Sequence, residues 1–250
     1  MNSDWLSADW PAPPAVRTCI TTRHGGVSTA PWAGLNLGAH VGDDPAAVAS
    51  NRQLLVDTLG CAPAWLEQTH SVNVVPADPT RVMPADASWT GEPGIACTIM
   101  TADCLPVLFC NRDGTRVAAA HAGWRGLAAG VLEQTVAAMQ VRADELLVWL
   151  GPAIGPNAFE VGEEVRQAFV DRDPVAIQAF RPSGRAGPYL ADIYRLARQR
   201  LALAGVVAVY GGGLCTFTDR QRFYSYRRDG QTGRFASLVW LDRGALSDES

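Results

Sequence analysis

The sequence predicts an α+β fold. It reads as a single domain over residues 1–250, with mixed, largely antiparallel β-sheets flanked by helices and an irregular N-terminal segment over 1–14. Three observations predict this. Apolar runs of strand length arrive in clusters between helical segments, whereas a doubly wound parallel sheet would need strict alternation. Apolar residues make up 48% of the 250 positions and charged residues 18%, so the chain can bury a large core. No internal repeat, low-complexity segment or break in composition divides it.

The elements follow in order. "RTCITTR" reads as an early strand. The Gly-rich stretch "GGVSTAPWAGLNLGAHVGDD" (25–44) has little periodicity, and structureless segments of that length in a compact domain tend to be functional. "DDPAAVASNRQLLVDTLG" is a helix, with Asp44 able to cap it, Pro45 in the first turn and Gly60 as its stop. "PAWLEQTHSVNVV" reads as strand, break, strand, and "IACTIMTA", "LPVLF" and "RVAAAH" are three further strands. "WRGLAAGVLEQTVAAMQ" is helical, and "ELLVWLGPAIG" is a strand running into a Gly/Pro loop. Helices over "FEVGEEVRQAFV" and "YLADIYRLARQRLALAG" precede the closing strands "VVAVYGGG" and "FASLVWL".

Composition excludes several functions. A net charge of −4 gives no footprint for nucleic acid or an anionic membrane surface. No run approaches the roughly 20 apolar residues of a membrane span. "MNSDWLSADWPAPP" lacks a basic region followed by an apolar stretch, so no signal peptide is expected and the protein reads as cytoplasmic. One domain with little surface charge fits a monomer. All 21 basic residues are Arg. Without Lys, Schiff-base chemistry and a P-loop Lys are impossible, and an anion must be held by Arg, backbone N–H groups or a metal. The six Cys form no C-x-x-C and are expected to be mostly small buried hydrophobes.

The four His (24, 40, 70, 121) allow a small metal site at most. "LPVLFC" and "TRVAAAH" flank "NRDG", a tight-turn sequence. A hairpin centred on Arg112–Asp113 places Cys104 directly opposite His121, with Cβ atoms about 4.5–5.5 Å apart on one face. Two chemistries fit. A Cys nucleophile with a His base makes a metal-free hydrolase for an amide or ester, such as a cell-wall precursor. Alternatively the two are metal ligands, with His70 of "EQTHS" as third-ligand candidate, and two His plus one Cys suits zinc with a water in the fourth position. The bland alternative is an inert Cys and a hydrogen-bonded His at two strand ends. Asp103 is a candidate orienting or proton-transfer group, or merely a turn former. His24 and His40 read as loop residues, and Arg227 and Arg228 of "YSYRRDG" as flanking a turn in a closing hairpin.

The motifs "TTRHGGVS", "LNLGAHVGDD", "NRQLL", "EQTHS", "TADCLPVLF", "AAHAGWRG", "GPAIGP", "FEVG" and "CTFTDRQRFYSYRRDGQTGR" occur in this order from about Thr21 to Arg234. In them the chain resembles the laccase-domain, or polyphenol oxidoreductase, family (YfiH-like), whose members act as purine nucleoside phosphorylases with adenosine deaminase activity. The resemblance implies that His70, Cys104 and His121 bind zinc. It implies as substrates phosphate and the purine nucleosides adenosine, inosine, guanosine and methylthioadenosine. The implied products are the free base with ribose 1-phosphate or its methylthio analogue, or inosine and ammonia. Four His cannot furnish a trinuclear copper cluster plus an electron-transfer copper, so any phenol oxidation is expected from copper in the zinc site. Phosphorolysis needs a held phosphate and a stabilised sugar cation. Arg23, Arg125 and Asn36 are the candidates for that work, and Asp103 for the proton transfer of deamination.

Overall fold

The computed structural model describes residues 4–184 and 187–244. Residues 1–3 of the expected irregular N-terminal segment, and the ends of the expected domain, lie outside that range. Within it, Trp5 is buried and Leu6 bridges Ile20.

The α+β class and the largely antiparallel pairing are observed. A six-stranded sheet runs in the order Ala208–Gly211, Leu146–Leu150, Leu105–Asn111, Val117–Ala122, Ala87–Thr90, Val74–Pro76. A four-stranded sheet runs Val16–Ile20, Phe235–Leu241, Ile95–Thr101, Ala62–Ala64. The pairs between Ala208–Gly211 and Leu146–Leu150, Val74–Pro76 and Ala87–Thr90, and Ala62–Ala64 and Ile95–Thr101 are parallel. Every other pair within these two sheets is antiparallel.

Side-chain alternation sorts the core into layers. In the strand Leu105–Asn111, Leu108 and Cys110 pack with Cys97, Ile99, Phe235 and Val239 of the other sheet. Val107 and Phe109 face the opposite way, onto Leu127, Val131 and Leu132 and onto Leu196 and Leu201. The outer face of the four-stranded sheet, with Cys19, Leu238 and Trp240, covers Leu55 of the helix Pro45–Leu59. The order is therefore helix, sheet, sheet, helices. The central strands are covered on both faces, which is why "LPVLFC" and "RVAAAH" read as continuous apolar runs rather than alternating ones.

Most elements form where expected, and the differences have local causes. The helix Pro45–Leu59 has Asp44 accepting from Ala46 N and ends at Gly60 with φ 65°. The segment 124–138 is two helices, Trp124–Ala129 and Val131–Ala138, broken at Gly130 where φ is 110°. The helix expected over "FEVGEEVRQAFV" begins at Glu163, and Glu160–Val161 is a strand. Likewise Tyr189–Ala191 is a strand, and Asp192 caps the helix Ile193–Leu203. The turn expected at Arg227–Arg228 is a short helix, Tyr226–Asp229, capped by Ser225. The short strands Met83–Pro84, Ala87–Thr90 and Phe180–Pro182 carry no clear sequence signal.

The hairpin register differs by two. Leu105 pairs with Ala122, Pro106 with His121 and Cys110 with Val117. Cys104 therefore does not stand directly opposite His121. The cause is Asn111, whose Oδ1 accepts from Thr115 N (2.9 Å) and Arg116 N (2.8 Å) and closes a longer turn than two residues. A shift of two keeps every side chain on its face. Cys104, just before the strand, still approaches His121 on the same face.

Candidate metal centre

Three chain segments converge at the open end of the hairpin. His121 is on the strand Val117–Ala122, Cys104 precedes Leu105, and His70 follows the short strand Leu66–Glu67. One ligand atom from each lies within 4.8 Å of the other two. Cys104 Sγ and His70 Nε2 are 3.9 Å apart, and the two imidazoles meet edge to face at 4.8 Å between centroids. Gly123 allows this approach: a Cβ there would stand 2.8 Å from His70 Cδ2 and 3.2 Å from Cys104 Sγ.

Asp86 holds the group together. It is fully buried, immediately before the strand Ala87–Thr90. Its Oδ1 accepts from His121 Nδ1 at 2.8 Å and from His70 N at 3.0 Å. Its Oδ2 accepts from Thr69 N (3.1 Å), Ser71 N (2.6 Å) and Ser71 Oγ (2.8 Å). One carboxylate thus sets the imidazole of His121 and the backbone of His70, whose φ of 61° is a left-handed conformation few residues adopt unaided. The bond at Nδ1 leaves His121 Nε2 to the cavity, where loss of its proton would free it as a ligand atom. Sequence reasoning missed Asp86. The one available signal was a carboxylate in an apolar run, "MPADASW", which must be paired when buried.

The electrostatics suit a ligand set. Burial pushes the Cys104 thiol up, but His121 and His70 beside it outweigh burial and hold it at about 6. Burial disfavours charge on His121, yet Cys104 and Asp86 raise it to about 9. Asp86 lies well below the usual carboxylate range: burial opposes that, and the bonds from His121 and Ser71 overcome it. Cys19, Cys97 and Cys110, by contrast, are buried thiols pushed up to about 12, as expected of structural residues. A clustered thiolate and two imidazoles, oriented by a carboxylate, is a donor set that fits zinc.

These residues line a cavity of about 410 Å³. Its lining interleaves the apolar and aromatic Met100, Trp124, Ile154, Phe159, Ile193 and Tyr226 with three guanidinium groups, Arg125 over Trp124, Arg227 over Phe159 and Arg234 near Tyr226, while burial and Arg234 keep His40 below the ordinary imidazole pKa. Arg125 therefore faces the candidate site, its guanidinium stacked 4.3 Å from the Trp124 centroid. Asp103 also lines the cavity, with φ 90°. Both its oxygens are engaged: Oδ1 accepts from Thr216 Oγ1 (2.6 Å), and Oδ2 from Ser225 Oγ (3.0 Å) and Arg227 N (2.7 Å). It braces the 216–227 segment, and the carboxylate hydrogen-bonded to His121 and to the His70 backbone is Asp86.

Two expected residues lie elsewhere. Arg23 stacks 5.0 Å from the Tyr224 centroid and donates to Arg220 O. Asn36 is fully buried, and its amide serves Gly38, Asp43 and the backbone N of Arg234. Neither is among the cavity-lining residues. His40, Arg227 and Arg234, read as loop or turn residues or passed over, do line it. The glycine segment folds tightly enough to bring His40 in, which no local pattern announces.

A family model described as multi-copper polyphenol oxidoreductase laccase matches residues 17–242. The chain is 68% identical over 241 residues to the purine nucleoside phosphorylase PA4543 of Pseudomonas aeruginosa, covering 96% of this chain and 99% of that one. It is 56% identical over 243 residues to the purine nucleoside phosphorylase YfiH of Escherichia coli, at 96% and 99% coverage. Among solved structures, NMB0706 of Neisseria meningitidis superposes with a TM-score of 0.94 at 54% identity, covering 96% of this chain and 100% of that one. YlmD of Geobacillus stearothermophilus superposes with a TM-score of 0.88 at 29% identity, covering 97% and 98%. Among the described residues no helix is long and apolar enough to cross a membrane.

Proposed function

The chain belongs to the laccase-domain family of polyphenol oxidoreductase-type proteins, and from that premise we propose that it is a zinc-dependent purine nucleoside phosphorylase. Its substrates are adenosine, inosine, guanosine and methylthioadenosine with phosphate. Its products are the free base and ribose 1-phosphate or the methylthio analogue. A second activity of the same cavity is deamination of adenosine to inosine and ammonia. The carrying observation is the placement of the His70–Cys104–His121 group in a cavity lined by both aromatic rings and guanidinium groups.

That lining holds side chains suited to both reactants. Met100, Trp124, Ile154, Phe159 and Tyr226 suit a purine, since apolar and aromatic side chains stack on bases and exclude water. Phosphorolysis forms a bond from a phosphate oxygen to the anomeric carbon, breaks the bond from that carbon to the purine nitrogen, and sends the electron pair to the base, which takes up a proton. Arg125 supplies positive charge for the phosphate. His70, Cys104 and His121 would hold the ion, with His121 fixed through Asp86. When bound, zinc supplies an electrophile and acidifies a coordinated water from about 16 to about 7, the chemistry that deamination requires.

A second reading rests on the same atoms. Cys104, His121 and Asp86 stand in the order of nucleophile, base and orienter, as a metal-free hydrolase would need. That reading leaves His70 without a task, although its Nε2 is 3.9 Å from the sulfur. Copper in the same three ligands would account for any phenol oxidation.

The test is turnover of adenosine with and without phosphate, before and after chelation, in wild type and His70→Ala. Ribose 1-phosphate formed only with phosphate, and lost on chelation and in His70→Ala, supports the proposal. Equal turnover in all eight conditions contradicts it, and activity that survives chelation with phosphate irrelevant favours the hydrolase.

A further inference from the structure

The chain has no Lys, so any oxyanion in the cavity must be met by Arg, His, backbone or metal. Three Arg line that cavity, and they come from separate parts of the chain. Arg125 is in the helix Trp124–Ala129, Arg227 in the helix Tyr226–Asp229, and Arg234 just before the strand Phe235–Leu241. The sole carboxylate among the lining residues is Asp103, whose oxygens already accept three hydrogen bonds. Three Arg against one lining carboxylate leave an excess of positive charge in the cavity lining, although Asp103 and Cys104 both act on Arg234.

Arg234 is the most firmly placed of the three. Asn36 Oδ1 accepts from its backbone N at 2.8 Å, and its carbonyl accepts from Leu37 N at 3.0 Å. Its stem runs over Gly38, where a Cβ would stand 2.8 Å from Arg234 Cγ. Its Nη1 donates to the carbonyls of Thr232 and Gly233, both at 3.0 Å, which fixes the plane of the guanidinium. Arg227 is anchored through Nη1 to Glu160 O at 2.8 Å, above the Phe159 ring. Each is thus held by one nitrogen, with further N–H groups on the same fork for a ligand. The glycine-rich segment enters the site indirectly. Asn36 and Gly38 of "LNLG" position Arg234 rather than touch a ligand themselves.

We propose that Arg227 and Arg234, together with Arg125, form the oxyanion subsite of the cavity, binding inorganic phosphate and the phosphate of a sugar phosphate. This rests on the phosphorylase reading for its reaction but not for its binding. With Nη1 engaged, the guanidinium groups of Arg227 and Arg234 keep Nε–H and Nη2–H donors of the kind that pair with a phosphate dianion, and Arg125 adds a third positive charge to the same cavity.

The experiment compares zinc-loaded wild type, Arg227→Gln and Arg234→Gln, each checked for metal content and thermal midpoint. Calorimetric titration with inorganic phosphate reads binding, and steady-state kinetics read the KM of phosphate and of inosine separately. The expected result is a rise of at least tenfold in phosphate Kd and phosphate KM in each variant, with inosine KM within threefold and metal content unchanged. Arg227 is exposed, so its variant keeps the test valid if Arg234→Gln folds poorly. Phosphate Kd within twofold of wild type in the folded variants overturns the subsite. Phosphate binding that is lost in the variants of a protein that splits no nucleoside upholds the subsite and refutes the phosphorylase reading instead.

Discussion

His121 Nδ1 and Asp86 Oδ1 are 2.8 Å apart in a fully buried pair, and the same oxygen accepts the backbone N–H of His70. One carboxylate therefore fixes two of the three candidate ligands. Asp86→Asn must place an NH₂ on one side or the other. Facing His121, it forces that imidazole to carry its proton on Nε2, the nitrogen a metal needs. Facing the 69–71 turn, it opposes the N–H groups of Thr69 and Ser71. We predict zinc affinity lowered by about 10–100-fold, with an altered visible spectrum of the cobalt-substituted protein. An unchanged spectrum and affinity would show that Asp86 is a fold residue only.

Gly123 makes a separate prediction. Its φ is −59°, so alanine is allowed by the backbone, but the added methyl would wedge between His70 and Cys104. Gly123→Ala should weaken zinc binding several-fold while changing the stability of the metal-free protein by no more than about 1 kcal/mol. Metal titration beside chemical denaturation checks both halves.

Cys104 should be the first thiol modified at neutral pH. His121 and His70 hold it at about 6 against the upward push of burial, so it is mostly thiolate at pH 7, the nucleophilic form. Iodoacetamide followed by peptide mass analysis should find Cys104 labelled in metal-free protein and protected once zinc is added. Labelling that zinc leaves unchanged would separate this thiol from the metal.

Alkaline pH should unfold the protein through its other cysteines. Burial raises Cys19, Cys97 and Cys110 to about 12, above the roughly 8.5 of an unfolded cysteine. A raised group binds its proton more tightly when folded, so its stabilisation is intact below the unfolded value and is lost as pH climbs to the folded one. Each thiol should remove about 1.4 kcal/mol per pH unit across that window. Urea midpoints measured from pH 8 to 11 should fall, and Cys110→Ala should flatten the fall. A flat profile would mean that these thiols are not as dry as their packing shows.

Much of this architecture was legible in the chain. Asp44, Pro45 and Gly60 bounded a helix that forms where they indicate. "LPVLFC" and "RVAAAH" marked a hairpin with Cys104 and His121 on one face, although Asn111 lengthens the turn and moves the register by two. What stayed hidden depends on tertiary placement. Asp86 is one acid among many until the 69–71 turn folds onto it. Arg23 and Asn36 looked apt as polar residues in a glycine-rich segment, but that segment packs inward, and Asn36 spends its amide on positioning Arg234. The cavity-lining Arg residues other than Arg125 are at 227 and 234, where turn chemistry masked them.

Phosphate-dependent cleavage in the cavity of His70, Cys104 and His121 is read out by phosphorus NMR of the zinc-loaded protein with inosine and phosphate. The expected result is a ribose 1-phosphate signal growing in step with released hypoxanthine, and neither product in His70→Ala. Hypoxanthine released with free ribose and no new phosphorus signal, or no base release at all, would contradict it.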